Sequence, residues 1–228
     1  GRVRVTAEPL PASLANGLLM FSRSLRPTHS SEGYVACASC HPDGGHDGMT
    51  WDFSDGGEGL RNTIDLRGRA GLGHGPVHWT ANFDEIQDFD NDIVGGFGGL
   101  GLGFAGDGGP PNPPMGAPNA GRSTDLDDLA AYVSSLASVP SSPYRQADGS
   151  LTASALRGRE VFYRASTRCA SCHVPRRFTD STLAPDPAAY RLHDVGTALA
   201  TSGGRLGGAY AGFDTPTLLG LWDGAPYL

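Results

Sequence analysis

The pentapeptide CASCH occurs twice in the chain, at residues 37–41 and 169–173, and the two copies contain all four cysteines. Two thiols separated by two residues can each add to a vinyl group of haem, while the histidine that follows reaches the iron. The repeat therefore predicts two covalently bound haem c groups. The attachment residues would be Cys37, Cys40 and His41 in the first copy and Cys169, Cys172 and His173 in the second, with both histidines as iron ligands.

Other uses of paired cysteines remain open at this point. A zinc ribbon also contains two Cys-x-x-Cys pairs, but roughly 15–20 residues separate them, whereas more than half of this chain lies between the two pairs. A thioredoxin-like motif needs a βαβ setting, and no strand-rich run precedes either pair. Haem attachment is the favoured interpretation, with zinc or disulfide bonding as the alternative.

The composition excludes several classes of partner. The 228 residues carry a formal net charge of −7, so the chain lacks the basic surface that nucleic acids require. No run of about 20 apolar residues is present, and a membrane span is therefore not expected. Lysine is absent and all 17 basic residues are arginine, which indicates a GC-rich genome or a use for carboxylates such as haem propionates.

Haem c is attached outside the cytoplasm, so the motif predicts a periplasmic or extracellular protein. The first ten residues, GRVRVTAEPL, contain no apolar signal-peptide core. We interpret this start as a mature or internally cut end. In such an oxidising compartment the four cysteines would be bonded to haem rather than paired as disulfides.

A helical pattern precedes each pentapeptide, and Thr152 is suited to cap the second helix. The apolar and glycine positions that recur at helical spacing are Leu14, Gly17, Phe21 and Leu25 in the first copy and Ala155, Gly158, Phe162 and Ala165 in the second. Glycine stands four residues before phenylalanine in both copies, where it would let another helix approach closely. Downstream, NTIDLRG at 62–68 matches DTPTLLG at 214–220. The chain therefore contains two copies of one unit.

We expect an all-α, loop-rich fold of two cytochrome c-like domains, each wrapped around a covalent haem. The abundance of glycine (34) and proline (17) predicts the loops. The first domain would span residues 1–139 and include an irregular Gly- and Pro-rich loop at 95–121. The second would span residues 140–228.

The first domain has a predicted closing helix that the second lacks. Its apolar face comprises Leu126, Leu129, Ala130, Val133 and Leu136. Because no counterpart follows in residues 140–228, we expect the second domain to be truncated at its C terminus or covered by another chain.

Most of the chain resembles the di-haem cytochrome c family of bacterial cytochrome c peroxidases and MauG-like proteins, especially the branch associated with β-propellers. The similar stretches are CASCHPDGGHDGMTWDF, GPVHW, LAAYVSSL, LRGREVFYRASTRCASCH, FTDS, LHDVGT and FDTPTLLGLWDGAPYL. The resemblance implies two haem c groups with either electron-transfer or peroxidase activity. Family members continue past APYL with His-Asp-Gly and a further helix, and this sequence does not.

The residue opposite each proximal histidine decides between electron transfer and chemistry at the iron. For the first haem, the loop after the first CASCH is long enough for His78 to reach the opposite face of the ring, and we favour this residue. The other candidates for that position are His46, His74 and Met49. For the second haem, His193 is the one histidine downstream of His173, and no methionine follows. We favour His193 as the ligand of that iron; the alternative is that the true ligand is absent and the position is open, occupied by water or completed elsewhere.

Weaker signals concern the surroundings of the haems. Trp51 and Trp79 could pack on the first haem. The acidic run FDEIQDFDND at 83–92 could hold calcium, although it lacks EF-hand spacing and is otherwise interpreted as a solvated loop. The arginines that could bind haem propionates are Arg61, Arg67, Arg69, Arg176 and Arg177.

The sequence favours an extracytoplasmic di-haem c-type cytochrome that passes electrons to a redox protein partner, which the acidic surface predicts to be basic. The alternative is a peroxidase or MauG-like oxidase with one open haem iron, for which Glu58, Asp84 or Glu85 could act as acid or base. A third hypothesis is a haem-bearing subunit that docks into a larger complex through its C-terminal segment.

Overall fold

The computed structural model describes residues 9–24, 27–54, 57–196, 198–206 and 208–224. The α-helices in this part of the chain are α1 (Ala12–Ser22), α2 (Cys37–Cys40), α3 (Phe89–Gly95), α4 (Phe104–Asp107), α5 (Thr124–Ser135), α6 (Ala153–Phe162) and α7 (Cys169–Cys172). The strands are β1 (Thr50–Phe53), β2 (Gly59–Asn62), β3 (Leu192–His193) and β4 (Phe213–Asp214). Single 3₁₀ turns and irregular segments connect them.

The expectation of an all-α fold is wrong, because each half contains a small antiparallel sheet. Strand β1 pairs with β2, with Thr50 opposite Asn62 and Phe53 opposite Gly59. Strand β3 pairs with β4, with Leu192 opposite Asp214. These strands have at most four residues, which is too short for an alternating pattern to stand out in the sequence.

The core of the first half forms where α1 packs on α5. Gly17 allows this approach, because a Cβ at that position would overlap the carbonyl oxygen of Asp128 and lie 2.7 Å from the Cβ of Tyr132. Helix α5 begins at an N-cap, Ser123, whose hydroxyl accepts a hydrogen bond from the Leu126 amide. The buried apolar cluster consists of Met20, Phe21, Ile86, Ile93, Leu102, Leu126, Leu129, Ala130 and Val133.

Helix α6 begins as predicted but buries none of its residues. Its N-cap, Thr152, accepts a hydrogen bond from the Ala155 amide at 3.2 Å. A Cβ on Gly158 would meet nothing within 4 Å, so this glycine does not serve a close helix contact in the described structure. The ring of Phe162 contacts Phe178, with 5.9 Å between ring centroids.

The two halves contact each other through backbone and side-chain hydrogen bonds. The Arg61 guanidinium donates to the Ser202 carbonyl at 2.6 Å, and the Arg205 guanidinium donates to the Thr80 carbonyl at 2.7 Å. The Asp214 amide donates to the Trp79 carbonyl, also at 2.7 Å. The predicted division into domains at 139/140 remains a prediction, since the halves share this interface.

Among the residues that the structure describes, no helix has both the length and the apolar character needed to cross a membrane.

Candidate haem-binding sites

The first CASCH forms helix α2, and His41 follows directly at its end. The His41 amide donates to the Cys37 carbonyl at 2.9 Å, which extends the helical turn to the histidine. The Nδ1 atom of His41 lies 3.1 Å from the Gly45 carbonyl oxygen. A carbonyl only accepts, so Nδ1 carries the proton and Nε2 keeps the lone pair that a metal requires.

A cavity of about 820 Å³ opens beside this turn. Its wall includes Cys37, Cys40 and His41, and also His78 from a distant part of the sequence. The volume falls in the range of roughly 300–1,000 Å³ that is usual for cofactor sites. The apolar part of the wall comes from the core and includes Phe21, Val77, Phe83, Ile86, Phe89, Ile93, Leu129 and Val133.

His78 is the one residue among the four predicted distal candidates of the first haem that borders this cavity. His46 lies outside it, where its Nδ1 accepts a hydrogen bond from the Gly48 amide at 3.1 Å. Met49 is 55% exposed, and His74 is buried away from the cavity. The structure therefore brings His41 and His78 to one cavity and leaves the other three candidates outside it.

His78 is held by an ion pair and by two rings. Its Nε2 lies 3.2 Å from the Asp92 carboxylate, and its ring packs on Phe83 and Phe89 with centroids 4.1 and 4.8 Å apart. Burial lowers the pKa of His78, but the charge and hydrogen bond of Asp92 outweigh it, so the net pKa is raised. Coordination of iron through Nε2 would require Asp92 to release this atom.

Burial also controls the protonation of the attachment residues. It raises the pKa of the Cys37 thiol to about 11, against a smaller opposing effect of a backbone hydrogen bond. It lowers the pKa of His41, so this imidazole is neutral, as a metal ligand must be.

The second CASCH repeats the local geometry of the first. It forms helix α7, and the Nδ1 atom of His173 lies 3.0 Å from the Phe178 carbonyl oxygen. His173 therefore also keeps Nε2 free of the proton. A more open pocket of about 670 Å³ borders Cys172 and includes Leu192, His193, Asp194 and Val195 in its wall.

His193 lies beside an attachment cysteine and is bound to an acid. Its Nε2 is 2.9 Å from the buried Asp180 carboxylate, and its Nδ1 is 4.0 Å from the Cys172 sulfur. One potential ligand atom from each of these three residues lies within 4.8 Å of the others. His193, the predicted second ligand of the second iron, thus borders the second pocket together with Cys172.

Carboxylates of the acidic run at 83–92 accept hydrogen bonds from backbone amides of the protein. Asp90 accepts hydrogen bonds from the amides of Leu102 and Gly103 at 2.6 and 3.0 Å, and Glu85 accepts one from the Asn119 amide. The run thereby anchors the Gly- and Pro-rich loop, part of which, at 113–114, borders the first cavity. These bonds occupy carboxylate oxygens that the predicted calcium ion would need.

Of the three predicted acid or base candidates, only Glu58 borders the first cavity. Its carboxylate accepts hydrogen bonds from the Thr80 hydroxyl at 2.8 Å and from the side-chain Nδ2 of Asn82 at 2.6 Å. The predicted haem-packing residues Trp51 and Trp79 also border the cavity.

The sequence did not reveal Asp92 or Asp180 as partners of the candidate histidines, nor Leu206 as a second-half residue in the first cavity wall. Asp92 lies in the run interpreted as a solvated loop, and no spacing rule links it to His78. The predicted arginines divide by location. Arg61 and Arg69 border the first cavity, whereas Arg176 and Arg177 are exposed.

No family model matches the chain. It is 32% identical to the hydrazine synthase subunit gamma of Kuenenia stuttgartiensis over 170 residues, or 74% of this chain. The matched region is 44% of that relative, so the chain spans less than half of the relative's length.

Two solved structures share the fold. A xenon-pressurised hydrazine synthase from Kuenenia stuttgartiensis aligns with a TM-score of 0.61 and 23% identity over 99% of this chain and 76% of that chain. A MauG-like protein associated with microbial copper homeostasis aligns with a TM-score of 0.59 and 21% identity over 100% of this chain and 72% of that chain. The predicted likeness to MauG-like proteins is thus confirmed at the level of the fold, and membership of the di-haem family stays a prediction.

Proposed function

We propose that the chain is a di-haem c-type cytochrome that transfers electrons outside the cytoplasm. The observation that carries this proposal is the cavity of about 820 Å³ whose wall contains both cysteines of the first CASCH together with His41 and His78. A zinc site would need neither such a volume nor a second histidine at this distance in the sequence. The similarity to a hydrazine synthase subunit and the fold of a MauG-like protein support a redox role.

In this proposal, each attachment motif fixes one haem and each proximal histidine presents Nε2 to the iron. Haem, when bound, supplies an iron that alternates between the ferric and ferrous states. Gly45 and Phe178 orient the two imidazoles through their carbonyl groups. Phe21 and Val133 would exclude water from the first haem, and His78 is its proposed second ligand.

For the second haem we propose Cys169, Cys172 and His173 as attachment residues and His193 as the further ligand. Residues 140–228 contain no other histidine and no methionine. Use of His193 Nε2 would require release of Asp180. We propose that the two halves, 1–139 and 140–228, each form one haem-binding unit.

An enzyme with one open iron is the second candidate. The observation that favours it is the engagement of His193, whose Nε2 is bound by Asp180 and whose ring lies next to Cys172. If His193 keeps these contacts, the second iron would have an open position. A MauG-like oxidase or peroxidase would use such a site.

We further propose a protein redox partner of basic character, because the chain carries a net charge of −7. Since the relative is named as a subunit of hydrazine synthase, this chain would also belong to a larger complex, in which a neighbour covers the C-terminal segment.

The test compares optical and electron paramagnetic resonance spectra of the purified protein with those of His78→Gln, His193→Gln and the control His46→Gln. We expect two low-spin haems in the parent, conversion of one to high spin in each of the first two variants, and no change in the control. A high-spin haem in the parent that His193→Gln leaves unchanged, together with peroxide turnover, would favour the enzyme. A low-spin spectrum in His78→Gln would contradict the assignment of His78.

A further inference from the structure

Three arginines, Arg61, Arg67 and Arg69, lie close together in the sequence, and the guanidinium groups of the first two lie within ion-pair distance of carboxylates. Arg61 donates to the carbonyls of Leu60 and Ser202 at 2.9 and 2.6 Å, and its Nε lies 3.4 Å from the Glu58 carboxylate. Arg67 forms ion pairs with Asp65 and Asp223, both at 2.7 Å. The third, Arg69, differs from both.

Arg69 borders the cavity but has no carboxylate at ion-pair distance among the described residues. Its Nε donates to the backbone carbonyl of Asp65 at 2.8 Å. The carboxylate of Asp65 is bound by the Arg67 guanidinium through two hydrogen bonds, at 3.0 and 2.7 Å. Asp214 acts on Arg69 through its charge, yet its Oδ2 accepts a hydrogen bond from the Ser181 hydroxyl at 2.8 Å.

The positive charge of Arg69 is only partly balanced by neighbouring carboxylates, and it acts on the nearby His74. Burial lowers the pKa of Arg69 to about 10, and the charges of Asp214 and Asp65 oppose that effect only in part. Burial, followed by the charges of Arg69 and Arg177, lowers the pKa of His74 to about 4. A guanidinium remains protonated at neutral pH, and a buried charge is costly unless an opposite charge pairs with it.

We infer that Arg69 binds a carboxylate of the group that occupies the first cavity, and that this carboxylate is a propionate of haem. The inference rests on the proposed function, because haem brings two carboxylates to a cavity whose wall offers this unpaired guanidinium. The planar donors at the end of an arginine side chain can bind such a carboxylate with two parallel hydrogen bonds. Arg69 would thereby fix the rotation of the ring and balance its negative charge.

The test uses the haem-loaded protein with Arg69→Gln, Arg69→Lys and the control Arg145→Gln, which removes an exposed positive charge that borders neither pocket. Haem content is measured first, by mass. Resonance Raman spectroscopy then follows the propionate bending bands, and potentiometry follows the reduction potentials at low and high salt.

In Arg69→Gln we expect two haems, a shifted bending band from one propionate, and a lowered reduction potential of one haem, because loss of a cation favours the ferric form. This lowering should persist in high salt, since a buried pair is weakly screened. Arg69→Lys should lower the potential less but still shift the band, because lysine keeps the charge and loses the fork.

Unchanged bands in Arg69→Gln, or an equal effect of Arg145→Gln, would overturn the inference while leaving the proposed function intact. If Arg69→Gln does not fold, the test relies on Arg69→Lys. An unchanged propionate bending band in that variant would contradict the inference. Absence of haem from the parent protein would instead overturn the proposed function.

Discussion

The two halves of the molecule share a haem-attachment turn but differ in what surrounds it. In both, a four-residue CASC helix leads to a histidine whose Nδ1 donates to a carbonyl four or five residues further on. In the first half, α1 and α5 pack against each other and enclose an apolar core. In the second half, α6 buries no residue within the described structure. The repeated sequence therefore specifies the turn, whereas the first-half core also needs α5, which lies outside the repeat.

The glycine that precedes each motif illustrates the same difference. Gly17 lies against α5, where a methyl group would overlap the backbone of Asp128. Gly158 occupies the corresponding place in α6 and faces open space. The same residue type at the same place in the repeat thus has a packing role in one half and none in the other.

The largest effect should come from truncating the core of the first half. Leu126 is fully buried in α5, so Leu126→Ala should lower the free energy of unfolding by about 2–5 kcal/mol. Leu156 in α6 is 39% exposed, and Leu156→Ala should change the free energy of unfolding by no more than about 0.5 kcal/mol. Chemical denaturation measures both, and equal losses would break the comparison.

Replacing Gly17 and Gly158 by alanine should change the stability of the protein in opposite directions. Gly17→Ala should destabilise the protein by about 3 kcal/mol, because the new methyl group would force α1 away from α5. Gly158→Ala should stabilise it by up to about 1 kcal/mol, because alanine favours the helix and no neighbour obstructs it. Thermal unfolding compares the pair, and destabilisation by Gly158→Ala would show that α6 is closely packed.

Asp214, a buried residue of the second half, should make the stability of the fold sensitive to pH. Burial raises the pKa of this carboxyl to about 7, with Asp180 adding to the rise. Because its folded pKa exceeds the unfolded value, its contribution is fully present below about pH 4 and is lost as the pH rises toward 7.

Asp214→Asn should therefore remove a fall in stability of roughly 1–3 kcal/mol between those pH values. Unfolding curves measured across this range provide the check, with Asp186→Asn as a control at an exposed carboxylate. An identical pH profile in parent and Asp214→Asn would contradict the assigned role.

The smallest effects should come from the helix caps. Ser123 caps α5 and also donates to the Leu102 carbonyl at 2.8 Å, so Ser123→Ala should cost about 1–2 kcal/mol in global unfolding. Thr152→Ala should cost less than about 1 kcal/mol and mainly fray α6, since nothing in the described structure buries that helix. Amide hydrogen exchange should show faster exchange confined to the first turn of α6. Spread of the effect to α7 would indicate that the second half is one cooperative unit.

The sequence predicted the features that depend on local spacing. The apolar face of α5 and the cap at Thr152 follow from residues within a few positions of each other. The strands were missed because they are short, and the His78–Asp92 and His193–Asp180 pairs were missed because folding rather than spacing creates them. Arg69 could be named as a candidate, but its lack of a carboxylate partner depends on Arg67 binding Asp65.

The most direct test of the account is to denature the purified protein, extract it with acidified organic solvent, and measure the intact mass of the chain. The account predicts that the colour stays with the polypeptide and that the mass exceeds that of the 228 residues by two haems. Replacement of Cys169 and Cys172 by alanine should reduce this to one haem. Colour that leaves with the solvent, or a chain mass without added haem, would contradict it.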